Sequence, residues 1–269
     1  MNLELAQLIS IVSYGNSYLN STTEKAPPEL SQNQSTFYCV SCVEFVMRNG
    51  PKDVPKDVPI SKGTLGWFQH LKDNGVKRLH LINVDWSQER PGLPDRCAAF
   101  FLGSGNWAIL TNGYDGQFVW LPEWKVLKRP KKDGKDSSVM YRGVRLDDEV
   151  PTPKETVAGA ENALRKALED IRDFASTELK GMQWHKCFQM ALDILDQDEP
   201  DLKNFGDMVP DSLALKAKRL IMASEQAWVF GGMGSWNDVG LDGDPVYTKV
   251  SNALYKAVCN ALGTAATAI

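Results

Sequence analysis

Asp147-Asp148-Glu149-Val150-Pro151-Thr152-Pro153-Lys154-Glu155 is where this 269-residue chain changes character. Upstream, short runs of aromatic and β-branched residues are separated by turns rich in glycine and asparagine. Downstream, apolar residues recur at helical spacing. Thr152 can cap a helix, Pro153 suits its first position, and Glu155 completes a capping box. The reading is an α+β chain. Residues 1–150 form a mainly antiparallel β-sheet region with flanking helices, one of them N-terminal, and residues 151–269 form a four-helix region.

Working forward from the junction, the first of the four helices aligns Val157, Ala160, Leu164, Ala167, Ile171 and Phe174. The second carries Trp184, Phe188, Ala191 and Leu195, and the third runs from about Ser212 to Trp228. The last begins at Asp244-Pro245, again a cap followed by proline, and aligns Val246, Val250, Leu254, Ala257 and Ala261. Working backward, strands are expected at 139–146, 117–128, 107–111, 97–102, 78–86 and 37–47. Helices are expected at 3–19 and at 64–74, the latter ended by Gly75. The tandem Pro51-Lys52-Asp53-Val54-Pro55-Lys56-Asp57-Val58-Pro59 reads as a rigid surface loop, because each proline removes a backbone donor.

Composition narrows the function classes. Residues 1–150 carry 18 basic and 17 acidic side chains, and residues 151–269 carry 12 and 17. Neither half has the positive field that draws nucleic acid or anionic lipid. No apolar run approaches the roughly 20 residues needed to cross a bilayer, so a membrane partner is not expected. Five cysteines (Cys39, Cys42, Cys97, Cys187, Cys259) are too sparse for a disulfide framework and suit a reducing compartment. A soluble cytoplasmic protein is the expectation.

Candidate chemistry is thin. Cys39-Val40-Ser41-Cys42 has the spacing of a redox pair or half a zinc site, but on a strand its two thiols point to opposite faces. His70, His80 and His185 show no zinc-site spacing. Asn237, Asp238, Asp242 and Asp244 are oxygen donors in one loop, without the spacing of a calcium-binding hand, and capping and turn formation account for them. Lys125, Lys128, Arg129, Lys131, Lys132 and Lys135 form a basic loop beside Trp120 and Trp124, an arrangement open to weak nucleic-acid or glycan binding. A solvated loop next to a packed tryptophan face explains it as well.

The least ordinary segment is Ala227-Trp228-Val229-Phe230-Gly231-Gly232-Met233-Gly234-Ser235-Trp236-Asn237-Asp238. Three glycines and two tryptophans between two helices make a tight corner, whose residues are the candidate ligand contacts: Trp228, Gly231, Gly232, Gly234, Ser235, Trp236, Asn237 and Asp238. A hydrolase or transferase pocket beside Gly231–Asp238 is one reading. However, no motif assembles a nucleophile, a base and an oxyanion site, so no catalytic residue, metal or cofactor is assigned. The leading expectation is a non-catalytic protein that binds a protein partner, or a second copy of itself, across the interface of its sheet and helical halves.

Overall fold

The computed structural model describes residues 1–21, 29–49, 56–84, 96–97, 107–128, 134–200, 206–231, 234–241 and 243–269. Its elements follow the α+β order. Helix α1 (Leu3–Asn20) and a short α2 (Leu30–Asn33) precede β1 (Val40–Asn49) and β2 (Lys56–Lys62). Helix α3 (Thr64–Asp73) leads to β3 (Leu79–Asn83), β4 (Trp107–Gly113), β5 (Gly116–Val126) and β6 (Ser137–Arg145). The helical half holds α4 (Val157–Glu178), α5 (Trp184–Asp196), α6 (Leu215–Gln226) and α7 (Pro245–Thr267).

Among the described residues the strands form one six-stranded sheet in the order β2-β1-β6-β5-β4-β3. All neighbours are antiparallel except β1 and β6, which run parallel. That parallel pair places the last strand of the sheet beside the first, an arrangement that alternating apolar residues do not encode. On the inner face Phe45, Trp67, Trp120 and Tyr141 stack or meet edge to face, with the Phe45 and Trp67 rings 4.3 Å apart. On the opposite face Arg142 of β6 bonds both Asp57 of β2 (2.9 Å) and Glu123 of β5 (2.6 Å), tying three strands with one guanidinium.

The proline tandem departs from its expected loop. Pro51–Pro55 lie outside the described residues, but Lys56–Lys62 form β2, with Pro59 opposite Val46. Proline is tolerated there because β2 is an edge strand and the register shifts between Phe45 and Val46. The expected strand at 97–102 lies outside the described residues apart from Cys97, which is helical.

Helix boundaries move for physical reasons. α4 is capped by Thr156, whose hydroxyl accepts from Gly159 N–H (3.1 Å), and not by Thr152. The residues before it are not helical, and the Gln117 side chain exchanges two hydrogen bonds with the Val150 backbone (2.8 and 2.7 Å). α7 starts as expected, with Asp244 Oδ1 accepting from Val246 and Tyr247 N–H. Leu254, Ala257 and Ala261 are buried as expected, but in the first turn Tyr247 is buried while Val246 is 53% exposed.

α1 is buried around much of its circumference, including Gln7, Ser10, Ser13 and Asn16 at 0% exposure. Buried polar groups need partners, and these find them in both halves. Ser10 donates to Met208 O (2.7 Å), Gln7 Oε1 accepts from Tyr141 (2.7 Å), and Gln7 Nε2 donates to Thr36 O (3.3 Å). One contiguous apolar core joins Leu5, Phe45 and Trp120 with Leu164, Phe188 and Leu254.

Candidate functional site

β3 is the second edge of the sheet, and its outward backbone groups are covered by helices instead of a strand. Asn16 Nδ2 donates to Leu79 O (2.9 Å) while its Oδ1 accepts from Leu79 N–H (2.8 Å), as a neighbouring strand would. Two residues on, Leu81 N–H reaches Thr267 Oγ1 of α7 at a long 3.5 Å. α7 comes this close because residue 263 is glycine: a Cβ there would sit 2.8 Å from Leu81 O. Beside this contact a groove lies between the helix and the strand.

The segment Val150–Pro153 supplies the groove's other wall. Its main chamber is a cavity of about 470 Å³ between Ile82 and Asn83 of β3, Val150 and Pro151, and Tyr255 and Asn260 of α7. A second chamber of about 260 Å³ shares Pro153, Gly263 and Thr264 with the first and extends to Arg78, His80 and Lys154. Burial, and then the Arg78 guanidinium, holds His80 below the ordinary histidine range, so its imidazole is neutral near pH 7. Among the described residues, His80 Nδ1 is buried without a hydrogen-bond partner. Sheet and helical residues therefore meet in one concave site, of the size in which small ligands are held.

The glycine–tryptophan corner stands beside this groove and is organised differently. Ser235 caps a 3-10 turn at Trp236–Asp238, with Asp238 reciprocating in a capping box. Asp238 Oδ2 accepts from Gly234 N–H (2.7 Å) and Ser235 N–H (3.2 Å), while Ser235 Oγ donates to Gly231 O (3.0 Å). Gly234 has φ +83°, a conformation that favours glycine. Trp236 is wholly buried among Phe174, Trp184, Phe188 and Tyr247, its N–H donated to Ser251 Oγ (2.7 Å) and its carbonyl accepting from Tyr247 Oη (2.6 Å). Trp228 is half-buried against Tyr255, a groove residue (ring centroids 6.2 Å apart). Gly232 lies outside the described residues.

No family model, curated protein sequence or solved structure matches this chain. Its own geometry is the guide to what it does.

Among the described candidate contacts, Trp236 faces inward and Trp228 reaches toward the groove through Tyr255. Trp120 is also core, 1% exposed with its N–H on Thr111 Oγ1 (3.0 Å), so it presents no face for a base or sugar. Trp124 is half-buried and packs against the same core. Arg129, Lys131 and Lys132 of the basic loop lie outside the described residues. Cys39 and Cys42 are both half-buried, and burial, then Asp136, raises the Cys39 thiol. Among the described residues, no three His, Cys, Asp or Glu side chains gather as metal ligands, and no helix is long and apolar enough to cross a membrane.

Two features escaped the sequence. The groove joins residues near 80, 150 and 260, and no local pattern links segments so distant. Arg96 is 3% exposed, donates to Asn237 Oδ1 (2.6 Å) and lies over the Tyr247 ring (5.0 Å). Nothing in Pro94-Asp95-Arg96-Cys97 marks that arginine as buried.

Proposed function

We propose that the protein is a non-catalytic binding protein whose ligand occupies the groove between β3, the Val150–Pro153 segment and α7. The supporting observation is the cavity of about 470 Å³ at the seam of the two halves, lined by both. Its lining mixes apolar surface (Leu81, Ile82, Pro151) with amide and hydroxyl groups (Asn83, Asn260, Thr264), a composition suited to holding a small molecule in one orientation. The corner supports the same reading from the other side. The Ser235 hydroxyl and Asp238 carboxylate are engaged by the loop's own backbone, so neither is poised as a nucleophile or a base.

The test is a ligand-observed NMR screen with a fragment library of carboxylates, phosphates and neutral amides. It uses the wild type and Asn260→Trp, which places an indole in the groove from an exposed helix position. Fragments that bind the wild type saturably and lose binding to Asn260→Trp are the expected result. Absence of binding, or binding unchanged in the variant, contradicts the proposal. Sedimentation velocity of the same two proteins shows whether a second copy is the occupant: a wild-type dimer that becomes a monomer in the variant places it there.

A further inference from the structure

The groove gathers cations. Arg78 and Lys154 line its second chamber and Lys256 its main one, in a chain whose net charge is −4. Among the described residues, Glu155 is the acidic side chain that lines either chamber, and its Oε1 accepts from the adjoining Thr156 N–H (3.2 Å). Arg78 Nη2 donates to Ile269 O (3.1 Å), which steadies the guanidinium and takes one of its five N–H donors. Thr156 Oγ1 accepts from Gly159 N–H (3.1 Å), and the hydroxyl keeps its own O–H to donate. His80, held neutral by burial and then by Arg78, adds hydrogen bonding to the same chamber without charge. The chamber's volume of about 260 Å³ is several times the roughly 30 Å³ that one water occupies in the liquid, so a carboxylate or phosphate group has room there.

Resting on the groove as the binding site, we infer that its ligand is an elongated small molecule with one oxyanion head group. The carboxylate or phosphate sits in the second chamber on Arg78 and Lys154, and an uncharged body lies in the main chamber. Pro153, Gly263 and Thr264 belong to both chambers, so one molecule spans them. The planar guanidinium of Arg78 offers parallel N–H donors to two oxygens of the head group, and Lys154 adds a point charge. In the main chamber Ile82 and Pro151 meet the apolar part of the body, and the Asn83 and Asn260 amides meet its polar atoms. Both cations of the second chamber lie on exposed residues, so salt screens them and the preference for an anion is largest at low ionic strength.

The experiment titrates the full chain with hexanoate, hexyl phosphate and hexanamide, which share an alkyl body and differ in head group. Affinities are read by ligand-observed NMR at low ionic strength. The wild type is expected to bind at least one anion tenfold or more tighter than hexanamide, and the tighter anion assigns the head group as carboxylate or phosphate. Arg78→Gln should bring that anion down to the affinity of hexanamide and leave hexanamide unchanged. Lys154→Gln should weaken the anion several-fold, and it serves where the Arg78 variant does not fold. Asn260→Trp should weaken all three. Equal binding of the three probes, or an anion preference kept in both charge variants, overturns the inference while the groove reading stands. Absence of binding by both anions also overturns it, and the fragment screen then decides the groove reading alone. Binding that depends on Arg78 but is untouched in Asn260→Trp fails the groove reading instead, and keeps the second chamber as an oxyanion site.

Discussion

Replacing Asn16 with alanine tests how the edge of the sheet is closed. The Asn16 amide makes both edge hydrogen bonds of Leu79, at 2.8 and 2.9 Å, and both residues are fully buried. Alanine leaves one backbone donor and one acceptor without partners, and each such group costs about 1–3 kcal/mol. Water entering the vacated space offsets part of this, so the expected loss is about 2–4 kcal/mol. That is a large share of the roughly 5–15 kcal/mol that holds a typical protein folded. Urea denaturation reads it as a lower midpoint at unchanged slope, and native-state hydrogen exchange should show the Leu79 amide losing protection before its neighbours in β4. Asn16→Asp is the control: it keeps the acceptor for Leu79 N–H but sets a carboxylate against Leu79 O, and should cost at least as much. A loss under about 1 kcal/mol in Asn16→Ala, with Leu79 still protected, would refute the reasoning.

Three further outcomes follow from the same geometry. Gly263→Ala should destabilise by about 1–2 kcal/mol despite alanine's better helix propensity, since the new Cβ meets the Leu81 carbonyl at 2.8 Å; Gly159→Ala, whose Cβ meets the movable end of Glu155 and the Thr156 hydroxyl at 3.2 Å, should cost less than Gly263→Ala by thermal denaturation. Ser251→Ala strands the buried Trp236 indole N–H and should cost about 1–3 kcal/mol, with a shift in tryptophan fluorescence as the readout. Burial raises the Glu29 carboxyl, but hydrogen bonds from Leu65 and Thr64 N–H and from the Ser31 and Thr64 hydroxyls outweigh it and leave the group below its ordinary value. Its contribution is therefore full above the ordinary glutamate value of about 4.3 and is lost as pH falls through the lower folded value, so Glu29→Gln should flatten the acid limb of a stability–pH profile.

Local signals in the sequence were reliable where one residue dictates backbone geometry. Asp244-Pro245 marked the start of α7, and Gly75, at φ +75°, marked the end of α3. They failed where distant segments compete. Thr152-Pro153-Lys154-Glu155 has the composition of a helix start, but Gln117 pins the Val150 backbone with two hydrogen bonds and the helix waits for Thr156. Pro59 reads as a loop until the sheet makes β2 an edge. The corner's density of glycine and tryptophan was visible, and its purpose as a packed turn follows from Trp236 lying among four other rings. The groove was not legible, because its walls are brought together by Gly263 meeting a strand about 180 residues earlier in the chain.

The most direct test of the groove is amide chemical-shift mapping with the tightest-binding fragment from the NMR screen. Shifts concentrated in Leu81–Asn83, Val150–Pro153 (through Val150 and Thr152) and Tyr255–Thr264 are the result this account predicts. Shifts confined to Gly231–Asp238, or scattered over the outer sheet face around Arg142, would contradict it.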